Sequence, residues 1–539
     1  MAKKYLIVLL VLTLLITLAA CGGGGSGTPQ GGSSSGGATS SGSGTSSGSG
    51  GGSQPASGEP KYGGLIRIAG SADLNAMVGI PWDLFPAVTQ SVPWADSFFL
   101  ETLGGEYTGA LAESWEVDQE KSEVRIKLKE GIYFTDGTPY NAEAAVWNLN
   151  TQVASGKLFY SFKGAEVRGE YELAILLEFC WNGFFPTMST HCYSHISREN
   201  YEKNGEDYAR MNPHGTGPFK PTEVVPGAYA RYERNDGYWK SGKPYLDAVE
   251  ILYMPDAMAR VAAMKSTGAD AVDVVSTNLG EQVQQIMESG APVNRISWSS
   301  GSICIYPSSA NADSPFNKLE VRQAIAYAID REALCDARGF GVLWPADQVI
   351  PEGFKGHLSN PNYYSYDPAK AKELLSQAGY PNGFSSTMHV MTSVDRDIAV
   401  AMQKMFEDVG IKMAMEFPES GAAVELRNNG WEGLMCHVFT ALSNTVDSYY
   451  LQYDIYDQFN VSAWRPPDME PTYLDARLTE YVEQSWVEKL QKITLDNMTI
   501  IPVYFTSTNY LIRNTIHDTG FGVWSTGTVW LPEETWRDD

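Results

Sequence analysis

From Gly22 to Gly58, 28 of 37 residues are glycine or serine. A stretch so poor in apolar side chains has nothing to bury in return for the chain entropy that folding removes, so it behaves as a flexible coil. A coil of this composition and length spans roughly 35 Å end to end. The part of the chain able to fold therefore begins near Lys61. Ahead of the coil, Lys3 and Lys4 form a positive patch, Leu6 to Ala20 are apolar, and the run ends in Leu18-Ala19-Ala20-Cys21. Charge, apolar run and small residues in that order mark a secretory signal. The Leu-Ala-Ala-Cys ending resembles a bacterial lipobox, in which the Cys21 sulfur takes a diacylglyceryl group and becomes the mature N-terminus. The run is short for a span of the bilayer core. Residues 1–20 are thus expected to be a signal peptide and 21–60 a lipid-anchored linker. Two acyl chains hold a protein at a membrane stably, where a single chain is marginal. The expected location is the outer face of the cytoplasmic membrane, and the long tether favours a Gram-positive cell.

The folding part is too long for one ordinary core, so two or three lobes are expected. The whole chain carries a formal charge of −25; Lys3 and Lys4 contribute +2 and Glu59 −1, which leaves −26 for residues 60–539. Such a body is repelled by nucleic acid and by anionic lipid, and no nucleic-acid partner is expected. Beyond Cys21 there are five cysteines, Cys180, Cys192, Cys304, Cys335 and Cys436. An odd number outside the cytoplasm leaves at least one unpaired within the chain, and no pair has the spacing of a zinc or redox motif. His191-Cys192 with His195 is a compact set of soft ligands that lacks a second half, so neither a metal nor another cofactor is expected.

Strand and helix signals alternate along the body. Gly64 to Ala69, Leu111 to Glu116 and Glu123 to Lys129 read as strands, and Asn141 is placed to cap a helix from Ala142. Val249 to Met254, a helix capped by Asp256, and Ala271 to Val275 form a β-α-β unit. Val321, Ala324, Ile325, Ala328 and Ile329 make one helical stripe. Asp367-Pro368 opens a helix whose apolar positions are Ala371, Leu374, Leu375 and Ala378. A helix over Ile398–Val409 precedes a strand over Ile411–Phe417. A long helix from about Leu478 to Asp496 leads into an apolar strand over Ile500–Phe505. The class is α/β with mixed sheets.

Several stretches resemble one family, in order, across nearly the whole mature chain. Leu111-Ala112-Glu113-Ser114-Trp115-Glu116 followed by Phe134-Thr135-Asp136-Gly137-Thr138-Pro139 is similar to the signature of family 5 extracellular solute-binding proteins, the peptide and nickel receptors of ABC importers. Gly215-Thr216-Gly217-Pro218-Phe219-Lys220, Gly237-Tyr238-Trp239, Val321-Arg322-Gln323-Ala324-Ile325 with Ala328-Ile329-Asp330-Arg331, and Tyr366-Asp367-Pro368-Ala369-Lys370-Ala371 continue the likeness. The resemblance implies a type II (cluster C) periplasmic-binding-protein-like fold, with two gripping lobes, a small inserted lobe and a hinged cleft. On that template lobe I is 61–79, 214–303 and 508–539, the inserted lobe II is 80–213, and lobe III is 304–507. It also implies a monomer that captures solute and docks on a permease and ATPase complex.

The resemblance further implies a Cys304–Cys436 disulfide, because the oligopeptide-binding branch pairs cysteines at similar places; two buried free thiols are the alternative. Peptide binders of that branch carry an aspartate two residues past the second cysteine to meet the peptide amine. This chain has Val438 there, and Asp447 aligns with a later turn. His437 and Phe439 on the same strand, Ser71 after the first strand, and Trp82, Trp94 and Trp524 in loop-like segments are the candidate ligand contacts. Peptides lead as ligand, then oligosaccharides, then nickel chelates. Outside the Gly/Ser coil, where glycine and serine meet at that spacing by composition alone, neither GxSxG nor HExxH occurs, so no catalytic residue is assigned and an enzyme is not expected, although a secreted hydrolase and a surface sensor remain alternatives.

Overall fold

The computed structural model describes residues 58–70, 80, 91–101, 106–155, 162–189, 194–359, 363–442, 444–453, 460–479, 481–521 and 530–538. The strands within them are β1 (Leu65–Gly70), β2 (Phe99–Glu101), β3 (Tyr107–Gly109), β4 (Ala112–Asp118), β5 (Glu123–Leu128), β6 (Phe162–Gly169), β7 (Glu172–Leu177), β8 (Phe219–Val225), β9 (Tyr229–Arg234) and β10 (Ala248–Tyr253). They continue as β11 (Val274–Thr277), β12 (Val293–Pro307), β13 (Trp344–Pro345), β14 (Phe384–Val390), β15 (Ile411–Glu416), β16 (Leu434–Thr440), β17 (Ile501–Arg513), β18 (Ile516–His517) and β19 (Trp536–Arg537).

The expected α/β class with mixed sheets is what forms. One large sheet runs β15-β14-β16-β12-β17-β11-β1-β10-β9-β8, and a separate sheet runs β4-β5-β7-β6. The β-α-β unit read from the sequence is present: β10 and β11 flank β1, both parallel to it, and the helix Ala257–Lys265, capped by Asp256, connects them. A second such unit joins β14 to its parallel neighbour β15 through the helix Arg396–Asp408. The expected long helix begins later than its apolar spacing suggests. Residues Met469–Arg477 form their own helix, and the next runs Gln484–Asn497.

Strands β12 and β17 hold the large sheet together. They pair antiparallel from Val293↔Arg513 to Ile305↔Ile501, far longer than an ordinary strand pair, with irregularities between Ser299 and Gly301 and between Ile303 and Cys304. The two ends of this ribbon serve different cores. On one half of the sheet, alternate residues send Ile68, Val274 and Tyr510 to one face and Ala69, Val275 and Leu511 to the other. On the other half, Ile303, Ile305 and Cys436 enter one core, and Cys304, Tyr306, Met435 and Phe439 enter the opposite one. The bulge at Ser299–Gly301 lies between the halves. Gly301 sits at φ 148°, and a Cβ there would lie 2.3 Å from the Phe439 carbonyl oxygen, so the bulge requires glycine.

A fifth core lies around the four-stranded sheet and the helices Ala142–Ala154 and Phe184–Met188, from Phe98 to Met188. Ile80, Val92, Trp94, Ala95 and Ile196 belong instead to the core that contains Ile66 and Tyr232.

Pairing also decides the cysteine question. Cys304 lies opposite His437 and Ile305 opposite Cys436, so the two sulfurs leave the sheet on opposite faces. The expected Cys304–Cys436 bridge is therefore not formed; both are buried free thiols, and no backbone-preserving rotation brings them together. Ser302 Oγ lies 3.2 Å from Cys304 Sγ, and burial pushes the Cys304 thiol up to about 12.

The Gly215-Thr216-Gly217 stretch gains a physical reason here. Gly217 N–H donates to the Trp94 carbonyl at 3.0 Å, and Cβ atoms at Gly215 and Gly217 would lie 2.2 and 2.3 Å from Trp94 backbone atoms. Gly217→Ala is expected to cost at least ~2 kcal/mol of stability, because its clashes are with backbone that cannot yield. A urea unfolding midpoint equal to that of the unaltered protein would contradict this packing.

Candidate functional site

In a body with separate cores, solute chemistry belongs where the cores face each other. After β7 the chain runs through Trp181-Asn182-Gly183 into the helix Phe184–Met188. There it meets the C-terminal end of the helix Met469–Arg477 and the turn ahead of the helix Thr445–Tyr453. Asn182 is buried, and its backbone N–H and its side-chain amide reach across this seam. Its N–H donates to the Arg477 carbonyl at 3.1 Å. Its Nδ2 donates to the Ala476 carbonyl at 2.6 Å and to Thr479 Oγ1 at 3.0 Å. Its Oδ1 accepts from Asn444 Nδ2 at 3.1 Å. The acceptors at Ala476 and Arg477 are carbonyls that a helix end leaves without intrahelical partners, which is why a side-chain amide fits them.

Asn444 is itself fixed by capping the next helix, accepting from Val446 N–H at 3.1 Å, and it donates to Asp447 Oδ2 at 2.7 Å. Asp447 is buried, and its Oδ1 has no hydrogen-bond partner among the described residues. Burial raises its carboxyl to about 6, against the opposing pull of the Arg477 guanidinium and the Asn444 bond. A Cβ on Gly183 would lie 2.5 Å from Asp447 Oδ2 and 2.2 Å from Trp181 Nε1, so a side chain at this position would collide with the buried Trp181 and Asp447 side chains. Beside this polar core the ring of Tyr481 stacks on Phe185 at 5.4 Å and on Tyr107 at 6.2 Å. The Arg477 guanidinium lies over the Phe179 ring at 4.9 Å.

A second junction ties the four-stranded unit to the core around β1. Asp96 is buried and accepts from Tyr238 Oη at 3.1 Å and Trp239 Nε1 at 2.9 Å. Burial again raises its carboxyl to about 6, opposed by the nearby Lys240 ammonium. Lys240 Nζ is held by Glu533 at 2.5 Å. A cavity of about 20 Å³, room for about one water, adjoins Asp96, Ser97, Lys240 and Glu533.

The ligand contacts proposed from sequence fare unevenly. Trp94 is 1% exposed in a core and cannot meet a solute. His437 is fully buried, with its ring stacked on Tyr306 at 3.9 Å and Nδ1 2.9 Å from the Val438 carbonyl; burial holds it neutral. Phe439 is buried edge-on to Tyr449. These three are core residues, because the alternation of β16 sends 437 and 439 into one core. Cys21, Ser71, Trp82 and Trp524 lie outside the described residues, as do His191 and Cys192. His195 packs in the fold with its Nδ1 2.7 Å from Tyr140 Oη, and burial lowers its pKa to about 3. Among the described residues no group of three or more His, Cys, Asp or Glu is placed to hold a metal. No helix among them is long and apolar enough to cross a membrane. Asn182, Asn444 and Tyr481 escaped the sequence reading; the one local signal was the Asn444-Thr445-Val446-Asp447 helix start.

The sequence profile described as "Bacterial extracellular solute-binding proteins, family 5 Middle" matches residues 106–460. The chain belongs to this family. The glutathione-binding protein GsiB of Escherichia coli (strain K12) is 29% identical over 370 residues, spanning 65% of this chain and 69% of that one. Among solved structures, HbpA2 from Haemophilus parasuis aligns with a TM-score of 0.76 at 19% identity, over 88% of this chain and 100% of that one. DppA from Helicobacter pylori, in complex with the peptide STSA, aligns at 0.69 and 20% identity, over 89% and 99%. NikA from Brucella suis, in complex with Fe(III)-EDTA, aligns at 0.73 and 17% identity, over 87% and 100%. The fold is the type II periplasmic-binding-protein architecture. Members of family 5 are extracytoplasmic solute-binding proteins of ABC importers, and no catalytic family is indicated.

Within this family's chain, the stretches that looked most diagnostic hold structure. Asp136 Oδ1 accepts from Thr138 N at 3.0 Å and Thr138 Oγ1 at 2.7 Å, a side-chain-stabilised turn. Arg322 is buried and donates to the carbonyls of Phe316, Asn317 and Asn497. Arg331 does the same for Ala326, Tyr364 and Pro502.

Asp96 and Asp447 give the protein a pH signature. Both folded-state pKa values lie above the ordinary 3.8, so their contribution to stability is fully present below pH 3.8 and is lost as pH rises through about 6. Thermal stability should therefore fall between pH 5 and pH 7.5, and Asp447→Asn should flatten part of that fall. Identical slopes for the two proteins would remove Asp447 from the explanation.

Proposed function

We propose that this chain is the lipid-anchored capture subunit of an ABC importer, which closes around an extracellular peptide or a peptide-like small solute and presents the closed form to a permease and ATPase. The observation that carries this reading is the seam at Asn182. Two units with cores of their own meet there, while their covalent connections run elsewhere, past Asp96 and through the β12–β17 ribbon. A solute touching both units adds to the closed arrangement and not to the open one, which is the physical content of capture. Peptides lead because a relative is named for glutathione and a structural neighbour holds a tetrapeptide. The aromatic argument for oligosaccharides loses Trp94 to the core.

The packing also supports revised lobe limits. The inserted lobe II extends from about Ser97 to Ser189, since Ile80, Val92, Trp94 and Ile196 pack with lobe I. Lobe I and lobe III exchange near Ser299–Gly301 on β12 and Thr506–Ser507 on β17, a few residues from the limits drawn on sequence. Cys21 anchors the protein, and the Gly/Ser coil gives the body its reach.

Two measurements test this. A ligand at about 100 times its Kd should stabilise the protein by about 2.7 kcal/mol, seen as a rise of a few degrees in melting temperature. Glutathione and a set of di- to tetrapeptides are the first probes, and no shift with any of them beside a clear shift with a glycan would overturn the peptide assignment. Replacing Cys21 with serine should move the protein from the membrane fraction to the soluble one; undiminished membrane retention would refute the acyl anchor.

A further inference from the structure

The Asn182 seam is built almost wholly of contacts that need no third molecule. Asn182 satisfies its backbone donor, both side-chain donors and its side-chain acceptor on the other unit. Tyr481, 39% exposed at the rim, lays its ring across Phe185 and Tyr107. Gly183 leaves room for the Asp447 carboxylate, which a Cβ there would meet at 2.5 Å. Such a set serves neither core: Asn182 could be a solvent-facing residue of lobe II at no cost to the packing of Phe184 and Phe185 beneath it. Its burial acquires a purpose only when the two lobes are together.

We propose that Asn182, with Tyr481 beside it, is a clasp that favours the closed arrangement of lobes II and III without solute, and that the strength of this clasp sets how tightly solute is held. The second half of that statement rests on the capture function proposed above; the first does not. The physical argument is population shift. Apparent affinity is the intrinsic affinity of the closed form reduced by the fraction of molecules already closed. Each neutral buried hydrogen bond lost from the seam changes the closed-to-open ratio several-fold. Losing the Asn182 side chain removes three such bonds and leaves Asn444 Nδ2 and the Ala476 carbonyl short of a partner. A shift of roughly ten-fold or more toward the open form is expected. Thr479→Val, which removes one bond across the seam and two within its own segment, to the Ala476 and Tyr481 carbonyls, should shift it less. Tyr481→Ala removes a rim ring that covers the outer edge of one core at Phe185 and removes no side chain from inside either core, and serves as the variant least able to disturb folding.

The test uses the mature chain free of solute. Small-angle scattering reads the radius of gyration, and amide hydrogen exchange reads residues 181–185 and 472–479 against β5, β7, β14 and β16. The expected result is an expanded particle and faster exchange at the seam for Asn182→Ala, a smaller effect for Thr479→Val and Tyr481→Ala, and unchanged protection in those four strands. Unaltered scattering and seam exchange in all three variants would overturn the clasp. Loss of protection throughout β5 and β7 in Asn182→Ala, with no seam effect in Tyr481→Ala, would overturn it too, since Asn182 would then be a residue of the lobe's own fold. Glutathione titration is a separate arm. If the unaltered protein binds it, Asn182→Ala should weaken binding by the factor by which the closed fraction falls. If glutathione does not bind, the glutathione-like ligand assignment fails while scattering and exchange still decide the clasp.

Discussion

The β12–β17 ribbon is the constraint on which the rest of the molecule depends. Two strands of 15 and 13 residues pair along nearly their whole length and carry one sheet between two pairs of cores. Each end is pinned by side chains on both faces, so neither end can slide without sending its apolar set to the wrong core. Of the two irregular stretches, Ser299–Gly301 lies between the ends, and Ile303–Cys304 lies within the half that carries Cys304 and Cys436. A ribbon that is rigid at both ends and bulged in the middle can bend there, and it can bend little anywhere else. That is a mechanical description of a two-lobed binding protein, reached from register and packing.

The inserted unit is held by a different kind of force. Its exposed sheet face carries pairs such as Lys127–Glu113 and Arg168–Glu166, which solvent screens and which contribute little. What fixes its position is buried polarity at two places, Asp96 against Tyr238 and Trp239, and Asn182 against the helix end at Ala476 and Arg477. Buried hydrogen bonds of this type are modest in net worth and costly to leave unmade. They are therefore better suited to selecting one arrangement of preformed lobes than to supplying fold stability, which the five apolar clusters provide. Asp96 fixes the point where the chain leaves the core around β1 for the inserted unit, and Asn182 fixes that unit against the helix end at Ala476 and Arg477.

Much of the fold was legible because its signals are local. Helix stripes such as Val321-Ala324-Ile325-Ala328, caps such as Asn141, Asp256 and Asp367, and the Asp136–Thr138 turn depend on residues a few positions apart, and they form as read. The candidate ligand residues were not legible for the opposite reason. Trp94 looked like a loop residue because its neighbours are turn-formers, yet Gly215 and Gly217, more than a hundred residues later, close over it. His437 and Phe439 sit on a strand whose two faces are both buried, so alternation alone could not say which side, if either, met solvent. The disulfide failed on a matter of register: sequence spacing allowed it, and facing Cys304 with His437 in place of Cys436 forbade it.

The sequence by itself determined that Gly22 to Gly58 offers almost no apolar surface to bury and that the body alternates strands with helices. These are properties of composition and of short-range periodicity, which the chain carries whether or not it is folded. Only the tertiary structure decided that the opening Trp94 segment joins lobe I, that Cys304 and Cys436 face apart, and that Asn182 bridges two lobes. Each of those depends on which face of a strand or which helix end arrives from hundreds of residues away, and that is settled by packing of whole elements against one another.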